Sequence, residues 1–591
     1  MNNRIVFAAA LAASVSLTAL CGAASAQAPA APPAADAAAS TTAAFRKIAD
    51  AEWAWRQKET PQRGSPMLPD VSAAAEARRL AYWIEVQKQL KTIDPSVLPI
   101  SERTTYAVYK HQIDNFVEDG RFKLHEMPFN ADSSFWAGVA GQARRAMTST
   151  ADYEQYLSRL RGVPRYYDDQ IDNMRAGLKR GFSQPRAALA GRDVSIATVA
   201  EVTDPKANLF YEPFVNMSRN VPAADQARLR AEAETVIGQA VIPAHQKLLT
   251  FMRTEYMPKA RTTLGASELP DGKAFYQSQI RQYTTTDLTP DQIHQIGLKE
   301  VARIEAEMGV IKDKVGFKGD LKAFNTFLKT DPQFKFDKPE HLLWYGAWIN
   351  KKVDGQLERF FGKLAPTPFT LIPVPANIAP FYTAGRGGNG SCQLNTYDLP
   401  SRPKYNLAAL TVHECSPGHA FQGLVQRDIK GLPPYRTQTY ISAYGEGWGL
   451  YTEKLGIEMG VYETPYDDYG RLTYEMWRAA RLVIDTGVHS KGWTRDQALA
   501  YLRDHTALSD HEVATEIDRY ITWPGQALAY KLGEIEILRI RAKAEAELGP
   551  KFDIKAFHDR FLALGVATLP ALADEMDDFI AQSKAAPTPA S

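Results

Sequence analysis

Apolar residues recur at steps of three and four over long stretches of the first half of the chain. Residues 74–90 and 227–253 are two such stretches, and a 3.6-residue period with one apolar face predicts amphipathic helices there. Helix starts are legible too. Thr289-Pro-Asp-Gln and Asp331-Pro each put a capping side chain before a proline that suits the first helical turn. Between residues 371 and 399 the texture changes. Ile372-Pro-Val-Pro and the glycine run over 384–391 interrupt helix, and residues 392–397 alternate like a short strand. The glycine run predicts a flexible lid or a tight turn, because it lacks the lysine and the following helix of a phosphate-binding loop. Helical periodicity then returns. Tyr474, Arg478, Arg481, Asp485 and His489 fall at steps of three or four and so share one helix face. Such a stripe on an otherwise apolar helix faces either solvent or a wet cleft. Residues 552–579 predict closing helices. The expected fold is mostly α, with a small β-sheet at residues 371–399 beside the helix that follows.

Length and composition bound this picture. A chain of 591 residues that is 45% hydrophobic has ample material for a large core. With 69 basic against 68 acidic side chains the net charge is only +1, so nothing points to nucleic acid or an anionic membrane surface. A peptide or small amide partner fits better, and oligomeric state is not readable. The first 26 residues read as an export signal: Arg4, an apolar run to Leu20, and Ala24-Ser25-Ala26 as the cleavage site. Lipid attachment at Cys21 is the minor alternative, since Leu20 is bulky where a small residue belongs. Residues 27–42, almost all Ala, Pro, Ser and Thr, read as a disordered tether, and residues 43–585 as the helical body with its active half over about 371–530. The mature protein is expected in the periplasm or secreted, without stable membrane insertion. Cys392 and Cys415 remain after export. That compartment permits a disulfide, but two unpaired buried thiols are the simpler expectation.

The candidate chemistry centres on Leu410-Thr-Val-His-Glu-Cys-Ser-Pro-Gly-His-Ala-Phe-Gln422. A histidine beside a carboxylate, with a second histidine following on the same helix, is the arrangement by which zinc hydrolases pair two ligands with a general base. His413 and His419, however, stand six residues apart, which an unbroken helix would splay by about 120°. Pro417 and Gly418 offer a break in the hydrogen-bond ladder that would bring His419 back beside His413. Glu446, flanked by glycines in Tyr444-Gly-Glu-Gly-Trp448, is the expected third ligand from a following helix. Glu453, two turns on and on the same face, is either a supporting partner of the ligands or a solvated residue. Glu414 is then the general base. His489, oriented by Asp485, and Tyr520 are candidate oxyanion donors, Arg519 a clamp for a substrate carboxylate. Asn395 and Tyr397, on the expected strand, are candidate contacts to an extended substrate backbone.

These motifs, with Asp485-Thr-Gly-Val-His489, Gly492-Trp-Thr494, Glu516-Ile-Asp-Arg-Tyr520 and Pro524-Gly-Gln-Ala-Leu-Ala-Tyr530, resemble the bacterial family catalogued as domain of unknown function 885, from about residue 45 to the C-terminus. Many members carry a second histidine directly after the position of His419, which is Ala420 here, so His419 is the expected ligand. The resemblance implies a largely helical, zincin-like architecture and supports a zinc-dependent metallopeptidase. A zinc hydrolase of another amide or ester, and a non-catalytic periplasmic binding protein, are the competing readings.

Overall fold

The computed structural model describes residues 33–61, 65–376, 378–388 and 390–586. The expected signal segment, Cys21 and the start of the tether lie outside the described residues. The rest of that tether is helical: α1 (Pro33–Glu59) has proline at its start and then an alanine-rich run, composition that favours helix wherever a nucleus forms. The two periodic stretches appear as α2 (Ala73–Leu90) and as α3 (Ala223–Val236) and α4 (Ile242–Phe251), joined through a π-helical turn over Ile237–Val241. Pro243, which has no N–H to donate, sits just past that turn. Thr289 caps α5 (Pro290–Lys314) in a reciprocal capping box with Gln292. Asp331 caps only a 3-10 turn, Pro332–Phe334.

Strands β1 (Thr370–Pro373), β2 (Gly385–Gly388) and β3 (Ser391–Leu394) form one sheet in the order β1-β3-β2. β1 runs parallel to β3 with Thr370 opposite Ser391, and β2 antiparallel with Gly385 opposite Leu394. Part of the glycine run is therefore an edge strand. The tight turn is real but confined to the hairpin tip, where Gly388 and Gly390 have φ of 113° and 79°.

Six helices follow that carry or support the site: α6 (Lys404–Glu414), α7 (His419–Asp428), α8 (Ser442–Glu458), α9 (Pro465–Lys491), α10 (Asp510–Thr522) and α11 (Ala529–Leu548). α9 is the axis of this half. Every residue from Tyr469 to His489 is buried, with α5 and α6 packed along it. The polar stripe therefore does not face solvent, and each of its groups must find a partner or line an internal cleft. A second apolar core, built from residues 68–260, holds the first half of the chain together.

Cys392 and Cys415 form a disulfide, against the expectation of free thiols. The pairing depends on tertiary register, for β3 lies where the C-cap of α6 ends, and sequence separation carries no trace of it. The bond fastens the sheet to the end of α6, beside Glu414. Closing a 23-residue separation constrains the unfolded chain by about 3 kcal/mol on the loop-entropy argument. Reduction, or the double change Cys392→Ala and Cys415→Ala, is expected to lower the melting temperature measured by scanning calorimetry. An unmoved transition would show that the bond is absent or adds nothing.

Candidate metal centre

Helix α6 stops at Glu414, and α7 begins at His419. The Ser416–Pro417 peptide between them is cis. The turn is anchored on both sides: Trp448 Nε1 donates to the Pro417 carbonyl at 2.9 Å and the Ser416 N–H to Asn350 Oδ1 at 3.2 Å. Gly418 is needed here for space, since a Cβ would sit 1.8 Å from the His413 carbonyl oxygen. The break brings the two imidazoles together, with ring centroids 4.8 Å apart. Glu446, from α8, completes the group. Its Oε2 lies 3.2 Å from His419 Nε2 and 3.7 Å from His413 Nε2, and one ligand atom from each of the three falls within 4.8 Å of the others. Among the described residues this is the one such grouping of His, Cys, Asp or Glu.

The supporting contacts are built from the same helices. His413 Nδ1 donates to Glu453 Oε1 at 2.8 Å, which fixes the ring and turns Nε2 toward Glu446. The ring lies flat on Gly449, where a Cβ would come within 2.7 Å of it. Tyr440, which the sequence did not single out, donates its hydroxyl to Glu446 Oε1 at 3.0 Å. Burial works against a charged His413, yet Glu446, Glu453 and Glu414 outweigh it and raise the imidazole to about 9. Burial likewise opposes ionisation of Glu446, but His419 and His413 hold it well below the usual carboxylate range. Negative charge converging on two imidazoles in a buried pocket is a donor set able to hold a divalent cation.

This group opens into a cleft of about 650 Å³. Glu414 lines it beside His413, His419 and Glu446, with Tyr382 and β2 along one side and Arg478, Arg481, Arg519 and Tyr530 from α9, α10 and α11 also lining it. The first half of the chain contributes Asp132 and Tyr283. The edge strand next to the centre is thus β2 and not β3, which is the middle strand. Asn395 and Tyr397 accordingly do not reach the cleft. Asn395 is buried and donates Nδ2 to the carbonyls of Ala379, Tyr382 and Thr383, so it shapes the loop that presents Tyr382. Tyr397 lies outside, 46% exposed.

His489 and Tyr520 are not at the centre either. His489 is fully buried, with Nδ1 accepting from the Ala266 N–H at 3.0 Å and Nε2 donating to the Tyr520 carbonyl at 2.9 Å. Both nitrogens are used, and burial pushes the imidazole down to about 3. Asp485 accepts from the Tyr276 hydroxyl at 2.6 Å and the Gly525 N–H at 3.2 Å and does not orient His489. The Tyr520 hydroxyl accepts from Trp477 Nε1 at 2.7 Å and Arg481 Nε at 2.8 Å, which makes it a prop for Arg481. The stripe on α9 therefore divides. Arg478 and Arg481 meet the cleft, and one to two turns later Asp485 and His489 meet Tyr276, Gly525, Ala266 and the Tyr520 carbonyl.

The buried His489 has a consequence for stability. The unfolded imidazole takes a proton below about 6.5, its ordinary value, whereas the folded one resists until about 3, so acid favours the unfolded chain across that interval. Stability attributable to this group is complete above pH 6.5 and declines as pH falls toward 3, by about 1.4 kcal/mol per pH unit for one proton. His489→Gln cannot titrate, and denaturant midpoints measured from pH 7 to 4.5 are expected to fall less steeply for it than for the parent. Equal slopes would contradict a neutral buried His489.

Comparison with known proteins places this geometry in context. A solved structure of a candidate lipoprotein from Colwellia psychrerythraea superposes with a TM-score of 0.84 at 26% identity, covering 92% of this chain and 99% of that one. A candidate lipoprotein of unknown function from Shewanella oneidensis superposes at 0.67 with 17% identity, again over 92% and 99%, a likeness of fold alone. No protein with a curated description matches the chain. The family model described as "Bacterial protein of unknown function (DUF885)" matches residues 58–576, and with nearly the whole helical body inside that match, the chain belongs to the DUF885 family.

Proposed function

We propose that this protein is an exported, zincin-like zinc peptidase, with His413, His419 and Glu446 as ligands and Glu414 as general base. One observation carries the reading: two imidazoles and a carboxylate converge on one point, the first imidazole braced by Glu453, with a free carboxylate beside them at the head of a cleft. Zinc in such a donor set supplies a Lewis acid and brings water toward deprotonation near neutral pH. Glu414 takes the proton of the attacking water and returns it to the leaving amine. Glu453 keeps the His413 ring in place throughout. Tyr440, whose hydroxyl donates to Glu446 Oε1, braces that ligand as Glu453 braces His413. The outer edge of β2 runs along the cleft, where its unpaired backbone groups suit an extended peptide. Export is supported by the disulfide and by the lipoprotein description of the Colwellia relative. No described helix is long and apolar enough to cross a membrane.

The test is digestion of a mixed peptide library by the purified mature protein, before and after metal removal and zinc re-addition. Peptide cleavage that is lost and regained supports the reading. Hydrolysis confined to esters or non-peptide amides would replace it with the wider hydrolase reading, and absence of any metal-dependent cleavage would overturn it.

A further inference from the structure

Arginines gather along one part of the cleft, where they share carboxylates. Arg478 and Arg481 from α9 and Arg519 from α10 all line it. Arg481 Nη2 donates to Glu516 Oε2 at 2.8 Å, and Arg519 Nη1 lies 3.5 Å from Glu516 Oε1, so one carboxylate serves two guanidiniums. The nearest acid to Arg478 is Glu453, 3.6 Å away, and that carboxylate already accepts from His413. None of the three is a solvated surface arginine: Arg478 and Arg481 are 4% and 1% exposed. Each also leaves a buried N–H without a partner, at Nε of Arg478 and Arg519 and Nη1 of Arg481. Idle donors at this depth are costly unless something completes them.

The groups are also held for recognition. The Arg481 guanidinium lies 4.5 Å from the Trp477 ring centroid and 4.1 Å from that of Tyr530, and Arg478 lies 4.1 Å from Trp477. Stacking on aromatic faces fixes the plane of each fork and keeps water off it. Tyr530 accepts from Arg519 Nη2 at 3.1 Å and thereby joins the third arginine to the same wall.

We infer that Arg478, Arg481 and Arg519 form a carboxylate-binding subsite in the metal cleft, and that the substrate is a peptide anchored there by a free carboxylate. Planar guanidinium forks lining the cleft suit that group, which accepts two parallel hydrogen bonds. The carboxylate comes either from the C-terminus of the peptide or from an acidic side chain. The inference rests on the peptidase reading for the word peptide, while the carboxylate subsite itself rests on the arginines.

The experiment uses the zinc-loaded mature protein carrying Glu414→Gln, which binds without turning over, and isothermal titration with three probes: acetyl-Ala-Ala-Ala-Phe as the free acid, its C-terminal amide, and acetyl-Ala-Ala-Glu-Phe amide. The free acid or the glutamyl amide is expected to bind at least tenfold more tightly than the neutral amide, and whichever gains identifies the source of the carboxylate. Arg481→Gln or Arg519→Gln is expected to reduce that ratio to less than threefold without weakening the neutral amide. Should Arg481→Gln fail to fold, Arg519→Gln and the three-probe comparison with intact arginines decide the matter. Equal affinity for all three probes, or no binding of any, overturns the subsite. All three probes cleaved by the unmutated enzyme at the same kcat/KM would overturn it while leaving the peptidase reading intact. An acid-over-amide preference in a protein that cleaves no peptide would do the reverse.

Discussion

Glu414→Gln is expected to lower kcat by at least ~10²-fold and to leave zinc content unchanged. Glu414 is the last residue of α6, next to a proposed ligand and lining the cleft, yet it stands outside the His413–His419–Glu446 grouping. Glutamine keeps the size and the ability to hydrogen-bond but cannot take a proton. The loss should therefore fall on kcat while KM changes little, because the proton moves only as the transition state forms. General-base contributions of ~10²–10⁴-fold set the scale. The measurement pairs steady-state kinetics on a peptide from the library with metal analysis of the same sample. A near-normal kcat would refute Glu414 as the base. Loss of zinc together with activity would instead make it a ligand.

His413→Ala, His419→Ala and Glu446→Ala are each expected to leave the purified protein with far less than one zinc. Three protein donors fill most of a tetrahedral shell, and removing one leaves two donors and a hole. The effect should also appear without any substrate. Zinc added to the stripped parent is expected to raise its melting temperature, as any ligand of the folded state does, and this shift should vanish in the three variants. His419→Ala is the sharpest of them, because that residue reaches the proposed donor set only through the break at Pro417 and Gly418. Stoichiometric zinc in His419→Ala would sink the donor set as drawn, whatever the other two variants do.

What the sequence made legible is local. The break between α6 and α7 could be expected because proline and glycine act on their own backbone, and Glu446 and Glu453 follow from helical spacing once α8 is granted. Helical spacing also put Arg478, Arg481, Asp485 and His489 on one face, correctly, but it cannot say how far along a 27-residue helix that face remains on the cleft. Arg478 and Arg481 meet it and His489 meets main chain. β2 went unread because glycine has low strand propensity and invites a turn assignment; Gly387 is needed there for space, since a Cβ would sit 1.9 Å from the Glu414 carbonyl oxygen and 2.8 Å from His419. The disulfide and Asp132 depend on elements meeting across the fold, and no periodicity or motif in one segment reports that.

The most direct test of the central claim is anomalous diffraction at the zinc edge from crystals of the protein purified without added metal. The expected result is a single strong peak among His413 Nε2, His419 Nε2 and a Glu446 carboxylate oxygen, at roughly 2.0–2.2 Å from each, with Glu414 outside bonding distance. No peak at that position in crystals soaked with zinc, or a peak held by other residues, would contradict it.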